Sequence, residues 1–438
     1  MIKDYRSLYA GHVAEMRRRW EESLAAENYD AAVVHSGSAM YSFQDDYEYA
    51  FRPNPNFLAW LPLTHHPDSV LMIVPGQRPR LIFYQPDDYW YLPPSDPEPW
   101  WADHFTIEIA RDTDTWRQTV PGGKVAAIGD APALADVYGK RRVNPSALTQ
   151  RLHLWRTRKT PYEVACMQQA ARLAAVAHTE AERAFREGET EYGIHIRYLS
   201  ACKHTDTELP YNNIVAHNTH GAVLHYQARE RNLPETIRSF LIDGGCTVNA
   251  YTSDITRTYA WEEGEFADLI VAMNAVERDL VGRVKAGVDY KGLFLESHLQ
   301  VAGVLEQAGV INVSAEDAVE SGLSWVFYPH GLGHFLGLQT HDVAGLVDND
   351  GVPIPRPDGY PALRLTRVLE EGNVLTIEPG LYFIDSLLEK WRANNDAGMV
   401  NWKRVDELRP YGGIRIEDNV LVQEDGCDDL TRRAFAEL

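Results

Sequence analysis

Cysteine is scarce in this chain. Four occur among 438 residues, Cys166, Cys202, Cys246 and Cys427, and none stands in a C-x-x-C pair. That excludes a disulfide-stapled scaffold and favours a reducing, cytoplasmic setting. Positive charge is in deficit too: 42 Lys and Arg face 63 Asp and Glu, a formal net charge of −21. Such a surface repels phosphate backbones and anionic lipid, so neither nucleic acid nor membrane is an expected partner. No apolar run approaches the ~20 residues that span a bilayer. The opening MIKDYRSLYAGHVAEMRRRW has no apolar centre of signal-peptide type, so a soluble, unprocessed protein is expected. Nucleophile and phosphate-binding motifs are also missing. There is no G-x-S-x-G, H-E-x-x-H or P-loop, and the glycines of segment 331–337 have one residue too many for G-x-G-x-x-G. Serine hydrolase and nucleotide chemistry are disfavoured.

What is present is ordinary globular material: 45% hydrophobic and 11% aromatic residues, in a chain long enough for two or three domains. Apolar residues at helical spacing (Tyr5, Leu8, Tyr9, Val13, Met16, Trp20, Leu24) predict a first helix. Strand-like runs follow at 31–35, 69–74, 80–84, 105–110 and 124–128, and long loops rich in Pro, Trp and Tyr decorate them. This third reads as α/β. Thr160-Pro161-Tyr162-Glu163 fits a capping box that opens a long helix toward Gly188, and Thr190 starts another. Strands are expected at 238–242 and 250–259, helices at 266–286 and 290–308, and strands again at 374–377 and 413–422. Elements that do not alternate as βαβ favour α+β for this second part. The expected domains are 1–157 and 158–438.

The chemistry lies in carboxylates at strand positions. Asp243 ends the run Phe240-Leu-Ile, Asp254 sits inside the strand-like stretch 251–258, Glu378 follows Val374-Leu-Thr-Ile377, and Glu417 follows Ile414-Arg-Ile416. An unpaired buried charge costs several kcal/mol, about what one edge-strand acid avoids by facing solvent; four in one domain call for a shared cation. Three histidines, His330, His334 and His341, fall within a glycine-rich stretch where backbone approaches closely. Four carboxylates and an imidazole form a hard, oxygen-rich donor set suited to Mn²⁺, Co²⁺ or Fe²⁺. Two divalent ions about 3.5 Å apart would explain the number of acids.

Asp243, Asp254, the segment His330-Gly-Leu-Gly-His334, Glu378-Pro-Gly, and Gly413-Ile-Arg-Ile-Glu417-Asp together resemble the five-ligand pattern of the pita-bread metallopeptidases. The blocks Phe43-Gln-Asp45-Asp46, Pro210-Tyr211-Asn-Asn-Ile214, Val223-Leu-His225-Tyr226 and Tyr360-Pro-Ala-Leu-Arg364 extend the resemblance to the bacterial Xaa-Pro dipeptidase (prolidase) branch, which includes organophosphorus acid anhydrolases. The resemblance implies a small creatinase-like α/β N-terminal domain, contributing to dimerisation and substrate access, before a pita-bread catalytic domain. It implies that Asp243 holds one metal ion, that His334 and Glu378 hold the other, and that Asp254 and Glu417 bridge them. Mn²⁺ is the leading expectation, with Co, Fe or Zn as alternatives. A bridging hydroxide would be the nucleophile and Glu378 the proton shuttle. His225 and His341 would steady the scissile carbonyl, with His330 and Arg415 orienting the ligands. Arg364 would pair with the substrate carboxylate, while Asp45, from the partner subunit of a homodimer, would cap its ammonium beside Tyr211 and Thr340. The implied activity is hydrolysis of Xaa-Pro dipeptides, with organophosphate triesters as a promiscuous substrate. Aminopeptidase P-like trimming of longer peptides is the alternative enzyme, and a metal-free peptide-binding module the non-enzyme alternative.

Overall fold

The computed structural model of the protein describes residues 4–394 and 398–438. Its chain forms two compact units, Met1–Cys166 with Asn249–Tyr251, and Met167–Val248 with Thr252–Leu438. The division falls within the helix Pro161–Arg186, whereas a local sequence signal marks only where that helix starts.

In the first unit the expected opening helix is split. A 3-10 turn, Tyr5–Leu8, precedes the α-helix Tyr9–Ala26, which buries Tyr9, Val13, Met16, Trp20 and Leu24 at the spacing that predicted it. Five strands, β1 (Ala31–His35), β2 (Val70–Ile73), β3 (Arg80–Tyr84), β4 (Thr106–Ala110) and β5 (Val125–Ile128), form one mixed sheet in the order β4-β3-β2-β1-β5. β1 is buried along its whole length because it runs parallel to β5 and antiparallel to β2. The capping box is formed: Thr160 N–H donates to Glu163 Oε2 at 2.7 Å, and Glu163 N–H returns to Thr160 Oγ1 at 3.4 Å.

The second unit is built on antiparallel pairs. After β6 (Ile214–His217) and β7 (Ser239–Gly244) come two-residue strands β8 (Thr247–Val248) and β9 (Tyr251–Thr252), the Tyr251 of β9 being counted with the first unit, then β10 (Ile255–Ala260). β7 lies between β10 and β6, with Asp243 opposite Thr256 and Ile214. Further on, β11 (Val374–Ile377), β12 (Gly380–Tyr382), β13 (Gly413–Arg415), β14 (Asp418–Gln423) and β15 (Gly426–Asp429) make two small sheets, β11-β14-β15 and β12-β13. Helices Glu265–Gly282 and Tyr290–Gln307 cover them through a large apolar core that includes Met273, Phe294, Val301, Leu375 and Val420. This is the α+β architecture expected from non-alternating elements.

One expectation needs correction. Asp254 does not lie inside a strand: β9 ends at Thr252 and β10 begins at Ile255. The break frees the Asp254 N–H from any ladder, and it donates instead to Asn419 Oδ1 at 2.9 Å. Glu378 and Glu417 likewise occupy gaps, between β11 and β12 and between β13 and β14. An acid at a strand interruption can turn its carboxylate inward without breaking the pleat's alternation.

Candidate metal centre

Strand geometry brings the interruptions together. Thr256 and Glu417 form an isolated antiparallel bridge, which ties the start of β10 to the gap before β14. The long irregular stretch after helix Leu323–Phe327 is drawn onto β11: Thr376 N–H donates to His334 O at 3.0 Å, and Glu378 N–H to Leu332 O at 2.8 Å. Glycine permits this approach. A Cβ at Gly333 would sit 2.1 Å from Thr376 O.

One donor atom each from Asp254, His334 and Glu417, all buried, lie within 4.8 Å of one another. His334 Nε2 is 3.4 Å from Asp254 Oδ2 and 3.7 Å from Glu378 Oε1. Its other nitrogen, Nδ1, bonds Phe335 O at 3.0 Å, which holds the proton there and leaves Nε2 free to accept or ligate. Asp243 joins through Tyr211, whose single hydroxyl proton is shared between Asp243 Oδ1 at 2.7 Å and Asp254 Oδ1 at 2.5 Å. Arg415 Nη2 donates to Asp243 Oδ2 at 2.7 Å, and Thr256 Oγ1 to Glu417 Oε2 at 2.7 Å. The resemblance implies a place for Tyr211 at the substrate pocket; in the structure its hydroxyl bonds two of the candidate ligands.

The electrostatics carry the mark of crowded acid. Burial pushes the Glu378 carboxyl up to about 7, against the pull of His334 and Arg415. Glu417 is driven well above the ordinary range by burial and by the charges of Asp254, Glu378 and Asp243. Burial raises Asp243 as well. Burial also opposes ionisation of Asp254, but its contact with His334 outweighs that and holds the carboxyl below its usual value. Among the described residues, four carboxylates therefore face one guanidinium, Arg415, a deficit that divalent cations at Asp243, Asp254, His334, Glu378 and Glu417 would offset. The residues fit a hard metal ion.

The remaining expected residues fall around this cluster to different degrees. His330 Nδ1 is 3.8 Å from Glu378 Oε2, and its Nε2 shares the Tyr382 hydroxyl at 2.9 Å with Arg415 Nη1 at 2.8 Å. The His341 ring stands edge-on to His334, with centroids 4.4 Å apart. Burial, then His334 and Arg364, push His341 down to about 4, and burial pushes His330 down to about 3. His225 and Arg364 are exposed, yet His225 is within electrostatic reach of both His330 and His341, and Arg364 of His341. Thr340 Oγ1 is buried with no hydrogen-bond partner among the described residues. Asp45 lies in an exposed loop of the first unit, where its carboxylate accepts the Asp46 N–H at 2.8 Å. Sequence reasoning overlooked Thr256, Thr376 and Asn419, which bond candidate ligands, and Tyr382, which bonds His330 and Arg415 beside them. Thr256 was within reach, two residues beyond Asp254; the others are recognisable only once the strands are paired.

A buried set of carboxylates around one imidazole, on an antiparallel α+β framework, defines a metallohydrolase. Residues 165–424 match the model of metallopeptidase family M24, and residues 7–154 match the N-terminal domain of Xaa-Pro dipeptidase. A Xaa-Pro dipeptidase of Stenotrophomonas maltophilia (strain K279a) is 47% identical over 438 residues, covering 99% of this chain and 98% of that protein. One from Xanthomonas campestris pv. campestris (strain B100) is 47% identical over 433 residues, covering 98% of each. The chain belongs to metallopeptidase family M24. Among solved structures, Pseudomonas aeruginosa aminopeptidase PepP matches with a TM-score of 0.75 at 22% identity, covering 100% of this chain and 99% of that one. Zinc-substituted Escherichia coli aminopeptidase P in complex with product matches with a TM-score of 0.71 at 22% identity, covering 95% of each. These structures share the fold.

Proposed function

We propose that this chain hydrolyses Xaa-Pro dipeptides with two divalent cations held by Asp243, Asp254, His334, Glu378 and Glu417. The observation that carries the reading is the buried acid–imidazole cluster, in a chain 47% identical across its length to a Xaa-Pro dipeptidase. Asp243, His334 and Glu378 would each contribute to holding the cations, together with Asp254 and Glu417. The oxygen-rich set favours Mn²⁺, with Co²⁺, Fe²⁺ and Zn²⁺ as alternatives. Such ions, when bound, act as Lewis acids and make water a nucleophile at neutral pH.

The side chains do the rest. The nitrogen of an Xaa-Pro bond carries no proton, so it must receive one as it leaves. Glu378 takes a proton from the attacking water and delivers it to that nitrogen. His341 is kept neutral by its surroundings and donates an N–H to the carbonyl oxygen as negative charge develops, alongside His225. His330 and Arg415, joined through Tyr382, keep Glu378 and Asp243 in place. The Arg364 guanidinium pairs with the substrate carboxylate. Asp45, contributed by a second copy of this chain in a homodimer, receives the ammonium, with Tyr211 and Thr340 lining that end. No helix among the described residues is long and apolar enough to cross a membrane. The four unpaired thiols suit a cytoplasmic setting.

Aminopeptidase P-like trimming of longer peptides is the second reading, raised by the shared fold. Hydrolysis of an Xaa-Pro dipeptide is compared with that of the same peptide extended at its C-terminus, each with added Mn²⁺. Faster cleavage of the dipeptide is expected, and faster cleavage of the extended peptide would favour the second reading. Organophosphate triesters, whose tetrahedral centre resembles the peptide transition state, are expected only as slow substrates in the same assay.

A further inference from the structure

Glu191 opens the helix Glu191–Cys202, behind the N-cap Thr190. An acid in a first turn is commonplace, but this one is 1% exposed and directed at the segment 217–230. Its Oε1 accepts the His217 N–H at 2.7 Å and the proton on His220 Nδ1 at 2.7 Å. Its Oε2 accepts the Tyr226 hydroxyl at 2.7 Å and the Glu230 N–H at 2.7 Å. Those four donors fill a carboxylate's acceptor capacity. The neighbouring Tyr192 N–H returns to Glu230 O at 3.1 Å, and the His220 ring stacks on Tyr226 with centroids 4.5 Å apart. Beyond the 3-10 turn Asn218–Ala222, residues 223–230 have no helix or strand of their own, so side-chain bracing must order them. His225 lies inside the braced stretch, beside Tyr226 and within electrostatic reach of His330 and His341.

We propose that Glu191 is a positioning residue for the hydrolytic reaction: its carboxylate braces the segment that presents His225 to the substrate. This rests on the role given to His225 above. Glu191 touches no reacting atom, and everything it does for catalysis passes through the placement of that imidazole.

Glu191→Gln keeps the shape but turns an NH₂ toward groups that themselves donate. With an Xaa-Pro dipeptide as probe, kcat/KM should fall about a hundredfold, the order that a displacement of about 1 Å costs. Mn²⁺ bound per chain should stay the same. Trypsin should cut after Arg229 and Arg231 about tenfold faster, reporting loss of order in the segment. The double variant Glu191→Gln/His225→Ala should be no slower than His225→Ala alone, because residues acting as one unit do not lose additively. Losses that multiply would overturn the proposal, as would a fully active Glu191→Gln enzyme with the segment still protected. A fully active His225→Ala enzyme would remove the role of His225 and this proposal with it, while the trypsin readout reports separately on the brace. Should Glu191→Gln fail to fold, Tyr226→Phe removes one donor; a smaller loss that vanishes in the His225→Ala background is then expected, and an additive loss overturns the idea.

Discussion

Glu417 and Asp418 are neighbours in the chain but belong to two buried acid clusters that are balanced in opposite ways. Glu417 faces Asp243, Asp254 and Glu378, with Arg415 as the one guanidinium among them in the described residues. Asp418, 0% exposed, takes Arg257 Nη2 at 2.7 Å on one oxygen and Arg432 Nε on the other. Arg432 also donates to Glu277 Oε2 at 2.8 Å, and Glu277 Oε1 meets no donor among the described residues. Burial and the charge of Asp418 push the Glu277 carboxyl up to about 9, while Asp418 is held below its ordinary value against its own burial by Arg257 and Arg432. Glu277 therefore keeps its proton and donates it to Asp418. The second cluster carries its own countercharge, two arginines against the ionised carboxylate of Asp418, and is structural. The first lacks such internal balance, and that deficit distinguishes a site built for an outside cation.

The largest effect expected along this contrast is at the metal centre. Asp254→Asn should lower dipeptide hydrolysis about a thousandfold or more, several kcal/mol of transition-state stabilisation. Metal analysis should show fewer Mn²⁺ ions per chain, while the melting temperature without metal stays level or rises as repulsion is relieved. An unchanged rate would dissolve the distinction between the clusters. Next comes Arg432→Met, which leaves Asp418 with Arg257 as its remaining described arginine partner and should cost about 3 kcal/mol of stability in urea unfolding whether or not Mn²⁺ is present. A loss that Mn²⁺ repairs would place that cluster with the first.

Arg364→Met should cost about 1.5–3 kcal/mol, seen mainly as a higher KM, since a charged hydrogen bond to the substrate carboxylate is removed. A variant that shifts kcat and leaves KM alone would argue against that pairing. Smallest is Glu277→Gln, expected within about 0.5 kcal/mol of the parent at and below about pH 4.5, where both folded and unfolded parent hold the proton, since an amide can replace a protonated carboxyl. The sign of its pH dependence follows from proton counts. The folded protein holds the Glu277 proton up to about 9 and the unfolded chain releases it near 4.5. Between those values the unfolded state binds fewer protons, so stability drains as pH rises. Glutamine removes that drain, so the variant should gain on the parent across the window. Parallel stability–pH curves would show that Glu277 is ionised in the fold.

Much of the fold was legible because local signals act locally. β3 and β11 coincide with the strand-like runs, and the Thr160–Glu163 box closes as its residues predict. The candidate ligands also stood out, because acids in β-branched segments are conspicuous against apolar neighbours. The helix Ser146–Arg156 and strand β6 passed unnoticed, being short and weakly patterned. The neutral Glu277 looked like any other helical glutamate, since its charge state depends on Asp418, 141 positions away in the sequence.

Residue chemistry and spacing by themselves settled the class of elements and the surplus of acid. Those properties follow from side-chain identity and from periods of two or 3.6 residues, which no distant contact alters. Only the tertiary structure decided which acids would lack a countercharge. Arg415 reaches Asp243, Arg432 reaches Asp418, and Glu191 reaches Tyr226, each across a separation in sequence that the pairing of strands and the winding of loops must close. Electrostatic balance in a protein interior depends on distance and burial, and neither is written in the order of the residues.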